Sequence, residues 1–247
     1  MSRTRILAFL AIVAAAVLVA GTMSPSADAA SSKPIVGQCR TTTFEQSFAD
    51  SDTHPPVPCS SLHRMKTFAV ENIPAGMNYL HYTNDQLLSA AKALCTKRYW
   101  SALGGTFAQR DLTAYTWSFF IPTVDQRKAG ARWIRCDLSL LYTVPGGSSG
   151  FAALPNLSFP FVEGHTVTDK TALCLSDSTH LYVTTCSRPH AARADQTFII
   201  HTAEKPSASL VKSLATKNCP DKRYSTPHAY EWKHGDHVIV CYSKTTS

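Results

Sequence analysis

The chain has 247 residues, a formal net charge of +7, 17% charged residues and eight cysteines. That length holds one large domain or two small ones, and its scattered basic residues suit an anionic surface without specifying one. With no RNA- or DNA-binding motif present, nucleic acid is excluded as a partner.

The first element is not part of the fold. Arg3 and Arg5 precede an uncharged apolar run from Ile6 to Ala20, and Ala27-Asp28-Ala29 forms an A-x-A cleavage pattern. This is the layout of a secretory signal peptide over residues 1–29. The run is shorter than the roughly 20 residues that a membrane-spanning helix needs. A membrane is therefore a partner only if the signal peptide stays uncleaved as an anchor. An exported chain with an even number of cysteines is expected to oxidise them into disulfides. All eight, Cys39, Cys59, Cys95, Cys136, Cys174, Cys186, Cys219 and Cys241, follow the cleavage point.

Residues 30–142 read as one unit. A strand is expected to enter Cys59, and MKTFAV from Met65 continues as a second extended run. TNDQLLSAAKALC then places Leu87, Leu88, Ala91, Leu94 and Cys95 at helical spacing. Thr83 and Gln86 are set as a capping box, and the helix is expected to end at Cys95. GARWIRC, Gly130 to Cys136, is the last strand. Residues 143–164 follow as a linker, in which Gly146-Gly147-Ser148-Ser149-Gly150 marks a flexible connection.

Residues 165–247 repeat the layout. A strand is expected to lead into Cys186, and QTFIIH is extended. SASLVKSLATKNC carries Leu210, Val211, Leu214 and Ala215 at helical spacing, with Ser207 as far before Cys219 as Thr83 is before Cys95. Thr-Lys-Arg-Tyr after Cys95 answers Pro-Asp-Lys-Arg-Tyr after Cys219, and GDHVIVC answers GARWIRC. Several matching features in one order indicate internal duplication. The expected fold class is α+β: two tandem copies of a small disulfide-pinned unit, each a short antiparallel sheet plus one helix. Small units of this kind gain from such staples. Each disulfide is expected to stay within its own copy, with the connectivity inside a copy left open.

The same motifs resemble the septum formation family of actinobacterial exported or envelope proteins. Val36-Gly37-Gln38-Cys39, Cys186-Ser187-Arg188-Pro189-His190, the Trp117 to Pro122 stretch and Trp232 to Cys241 carry the resemblance. The chain departs from the pattern at Leu62, where a proline is usual, and at Arg127, where a tryptophan is usual. Lys66 and Arg193 stand where an acidic residue usually follows the histidine. The resemblance implies a role in the cell envelope near division.

The chemistry turns on the C-x3-H pairs Cys59/His63 and Cys186/His190. A catalytic Cys–His couple needs a free thiolate, and an even set of repeat-matched cysteines leaves none over. Zinc prefers four ligands, of which such a pair supplies half. His228, His234, Asp236 and His237 cluster in the second copy alone and read as a surface turn. Hydrolase signatures and paired carboxylates are missing. The pairs therefore read as structural, the histidines bonding to their own backbone, with no catalytic residue, metal or cofactor expected. Of the aromatics concentrated in the first copy, Trp100 and Trp117 with Lys97 and Arg98 are the candidates for ligand contact; the others are core. The expected function is that of a secreted, non-enzymatic envelope protein binding a wall polymer or another envelope protein. The alternative is an exported hydrolase or metal-dependent enzyme with its site between the copies.

Overall fold

The computed structural model describes residues 33–73, 84–177, 180, 182–201, 206–219, 221, 223–225 and 236–245. The signal-peptide segment, Thr83 of the capping box, His228, Trp232, His234 and Gly235 lie outside the described residues.

Among the described residues, ten strands form two five-stranded sheets. The first holds β1 (Cys39–Arg40), β2 (Met65–Asn72), β3 (Tyr115–Phe120), β4 (Trp133–Thr143) and β5 (Ser149–Ala152). The second holds β6 (Leu173–Leu175), β7 (Val183–Thr185), β8 (Ala192–His201), β9 (Arg223–Ser225) and β10 (Asp236–Lys244). The helices are α1 (Asn84–Leu103), α2 (Phe107–Arg110), α3 (Val124–Lys128) and α4 (Ala208–Asn218). Neighbouring strands pair antiparallel throughout, so the class is α+β.

The sheet orders carry the duplication. The first runs β1-β2-β4-β3, with β5 also on β4, and the second runs β7-β6-β8-β10-β9. Matched through their cysteines, β1, β2, β4 and β3 correspond to β6, β8, β10 and β9 in the same spatial order. The disulfides repeat as well: Cys39–Cys59 and Cys95–Cys136 in one half, Cys174–Cys186 and Cys219–Cys241 in the other. In each half the second bridge ties the long helix to the central strand, which covers one face of the sheet.

Three sequence expectations need correction. First, α1 does not stop at Cys95 but continues two turns to Leu103. Nothing in TKRYWSAL breaks a helix, and the stop comes at Gly104 and Gly105, with φ of +64° and +66°. Gly104 is required twice over, because a Cβ there would also lie 2.6 Å from the Pro160 side chain. Second, no strand enters Cys59; Val57 makes a single bridge to Cys39.

Third, residues 143–164 are not a flexible link. Gly146 and Gly147, at φ +96° and +94°, turn a tight hairpin from β4 into β5, closed by Val144 N donating to Ser148 O. The chain then passes back over the first sheet. Phe161 N and Val162 N donate to the carbonyls of Ala102 and Leu103 at the end of α1, satisfying acceptors that a helix terminus leaves open. Leu154, Phe161 and Val162 are buried.

The two halves share one main core. Alternation along β4 turns Ile134, Cys136, Leu138 and Leu140 to one face, where they meet α1 residues and also Ala192, Ala194, Val240 and Tyr242 of the second sheet. Backbone bonds cross the joint: Ala114 N donates to Thr171 O and Leu173 N to Leu112 O. A smaller cluster lies under α4, with Val211, Ala215, Cys219, Ile239 and Cys241.

Candidate functional site

The two C-x3-H segments adopt the same local arrangement. His63 Nδ1 lies 2.8 Å from the carbonyl oxygen of Ser61, and His190 Nδ1 lies 2.7 Å from that of Arg188. In each, the imidazole closes a loop onto the residue two positions earlier. The environments differ: His63 is 2% exposed, with its Nε2 buried and unpartnered, whereas His190 is half-buried. The four cysteines nearest these histidines are disulfide-bonded, so neither segment offers a thiolate.

Lys66 and Arg193, the departures from the family pattern, have found uses. Lys66 is buried on β2 and donates from Nζ to Leu157 O at 2.6 Å, beneath the rings of Phe159 and Phe161. Burial lowers its pKa. It thus holds the 154–162 segment against the sheet. Arg193 pairs with Asp169 at 2.5 Å.

The candidate ligand residues separate into two groups. Lys97 and Trp100 stand three apart on α1, on one helix face. Trp100 is half-buried, and the Arg110 guanidinium lies 5.4 Å from its ring and 5.2 Å from that of Phe107. Phe107 is 40% exposed. Together they make a basic–aromatic surface around the end of α1. Arg98 is exposed but its Nε is paired with Glu71 at 2.5 Å, and Trp117 sits on β3, half-buried against the main core. Sequence reasoning missed Phe107 and Arg110. Thr106 and Gln109 form a capping box that starts α2, and that T-x-x-Q signal was available to place Phe107 at a helix start.

Also missed was a buried charge cluster on the other face of the first sheet. Arg135 Nε donates to Asp137 at 2.8 Å and its Nη2 to Asp52 at 2.6 Å, all three side chains being 1% exposed or less. Thr67 and Thr42 donate to Asp137 and Asp52. Burial works to raise the Asp52 carboxyl, but Arg135 and the His54 hydrogen bonds outweigh it and hold it below the ordinary range. Burial pushes the Asp137 carboxyl up despite Arg135 and Thr67. His54 Nδ1 lies 2.7 Å from Asp52, yet its Nε2 faces the Gln46 amide at 3.3 Å rather than a hydroxyl or thiol. The cluster has the fully bonded form of a structural network.

With this geometry in hand, comparison with family models gives a match to septum formation over residues 36–226. The chain belongs to the septum formation family. No curated protein and no solved structure matches it. The family's matched region takes in the whole first sheet and every strand of the second except β10, and membership by itself assigns no catalytic activity to any residue.

Proposed function

We propose that the protein works outside the cytoplasm as a non-enzymatic recognition module of the septum-associated envelope. It binds a wall polymer or another envelope protein through the basic–aromatic surface at the end of α1. The observation that carries the reading is that all eight cysteines are paired, none being free. That state is sustained in an oxidising compartment, and it withholds the thiolate that a Cys–His mechanism needs.

The surface supports the binding half of the reading. Lys97 supplies an exposed cation, Trp100 and Phe107 supply faces on which sugar rings or apolar side chains stack, and Arg110 packs against both rings. A net charge of +7 favours an anionic ligand. The test is co-sedimentation of the purified chain with insoluble envelope material, followed by elution with soluble wall polymer. Retention that falls at least tenfold in Lys97→Ala/Trp100→Ala/Phe107→Ala supports the reading. Retention unchanged in that triple variant sinks it.

A further inference from the structure

The four disulfides differ in their surroundings. Cys95–Cys136 lies within the main core and Cys219–Cys241 within the cluster under α4. Cys174–Cys186 instead sits with Ala172 and half-buried Val167 in a small cluster of its own, bridging the short β6–β7 connection. Opening that bridge breaches neither larger core, and a bridge across a short loop contributes less to stability than one across a long loop.

Beside it stands His190. One of its ring nitrogens and the two sulfurs all lie within 4.8 Å of one another. The matching trio of the first half, Cys39, Cys59 and His63, does not converge in this way. The His190 ring is already oriented: Nδ1 donates to the Arg188 carbonyl at 2.7 Å, which leaves the lone pair on Nε2. Backbone carbonyls commonly fix metal-binding imidazoles by this bond. His190 is half-buried and so within reach of solvent.

We propose that reduction of Cys174–Cys186 converts this cluster into a zinc(II) site with Cys174, Cys186 and His190 as ligands and water as the fourth. The segment is then held by a disulfide when oxidised and by a metal when reduced. The inference is independent of the proposed binding function. A dithiol reductant supplies two electrons and two protons: the protein S–S bond breaks to two thiols while the reductant closes its own disulfide. Binding then forms two Zn–S bonds and releases the two thiol protons. Zn–S bonds of about 2.3 Å place tetrahedral sulfurs roughly 3.8 Å apart, and the Cα atoms stand 5.1 Å apart already.

The experiment uses the full chain, reduced under native conditions with dithiothreitol, freed of it anaerobically, and titrated with zinc against a chromophoric chelator. Alkylation and peptide mapping report which cysteines have opened, and near-ultraviolet circular dichroism reports that the fold persists. Expected are no zinc uptake by the oxidised chain and one equivalent by the reduced chain. His190→Ala and His190→Gln each weaken it at least tenfold, and His63→Ala leaves it unchanged. Cobalt(II) in place of zinc should show thiolate-to-metal charge-transfer absorption. The proposal is overturned if Cys174 and Cys186 resist alkylation until the chain unfolds, or if the reduced, folded chain binds no zinc. Binding that survives both His190 substitutions overturns it equally.

Discussion

Arg135 donates to Asp137 two residues along β4, and the positions matching them in β10 are Val240 and Tyr242. The match follows from Cys136 and Cys241, which lie between the members of each pair. The difference reflects what covers each sheet. In the second half this face joins the main core and is apolar. In the first half it lies under the segment that carries Thr42, Asp52 and His54, where Asp52 pairs with Arg135 and is itself bonded by Thr42 and His54. Duplication copied the sheet, and the two copies then diverged according to their neighbours.

Arg135→Met therefore leaves Asp52 and Asp137 buried without their shared cation. It should destabilise the fold by about 3–5 kcal/mol, the usual cost of orphaning a buried charge. Adding Asp137→Leu removes one orphan, so the double variant should lose less than the sum of the single changes. Urea midpoints of the four proteins form the cycle that measures this. Strict additivity would mean that the two side chains do not interact.

The shared core makes a claim about cooperativity. Ala192, Ala194, Val240 and Tyr242 pack with Ile134, Leu138 and Leu140 of the other half, so neither sheet is complete alone. The full chain should unfold in a single calorimetric transition, and residues 165–247 expressed alone should not show one. Two well-separated transitions would instead establish independent units.

The fold was legible where local chemistry settles it. Ser207 caps α4 by accepting from Leu210 N, and the two G-x5-C runs marked the central strands because alternating apolar residues have no other home. The end of α1 was not legible from the repeat, since Pro220 follows Cys219 while Thr96 follows Cys95; the copies share a cysteine but not a helix stop. The 143–164 segment misled because its glycines signal a turn as readily as a flexible link, and what decides is the later burial of Leu154, Phe161 and Val162. Of the candidate site, the helix that puts Lys97 and Trp100 on one face was expected to end at Cys95, and the two were visible only as near neighbours in sequence. Phe107 and Arg110 were not, because they reach Trp100 only after the turn at Gly104 and Gly105.

The histidines should differ in cost. Both bond a carbonyl of their own loop, but His63 is buried and His190 only partly so. His63→Ala opens a cavity and removes the bond to the Ser61 carbonyl, and should cost about 1–3 kcal/mol; His190→Ala in the oxidised protein should cost less. Thermal midpoints of the two variants, measured side by side, check the order. A larger loss at His190 would contradict it.

Asp111 should add an acid-favouring component to the pH dependence of stability. Its Oδ2 is buried without a hydrogen-bond partner, and burial raises its carboxyl to about 6, with Arg110 opposing the shift. The residue adjoins the joint between the halves, where Leu112 O accepts from Leu173 N. An unfolded aspartate titrates near 3.9, so the folded state holds the proton more tightly. The contribution of that proton is complete below about pH 4, shrinks as pH rises through about 6, and is then gone. A shift of this size corresponds to about 2 kcal/mol after allowing for the partial exposure of the residue. Asp111→Asn cannot ionise and keeps the shape. It should flatten the stability profile between about pH 4 and 7 and exceed the parent by about 2 kcal/mol at the upper end. Urea unfolding at a series of pH values reads both effects, and parallel profiles for the two proteins would show that Asp111 does not set this slope.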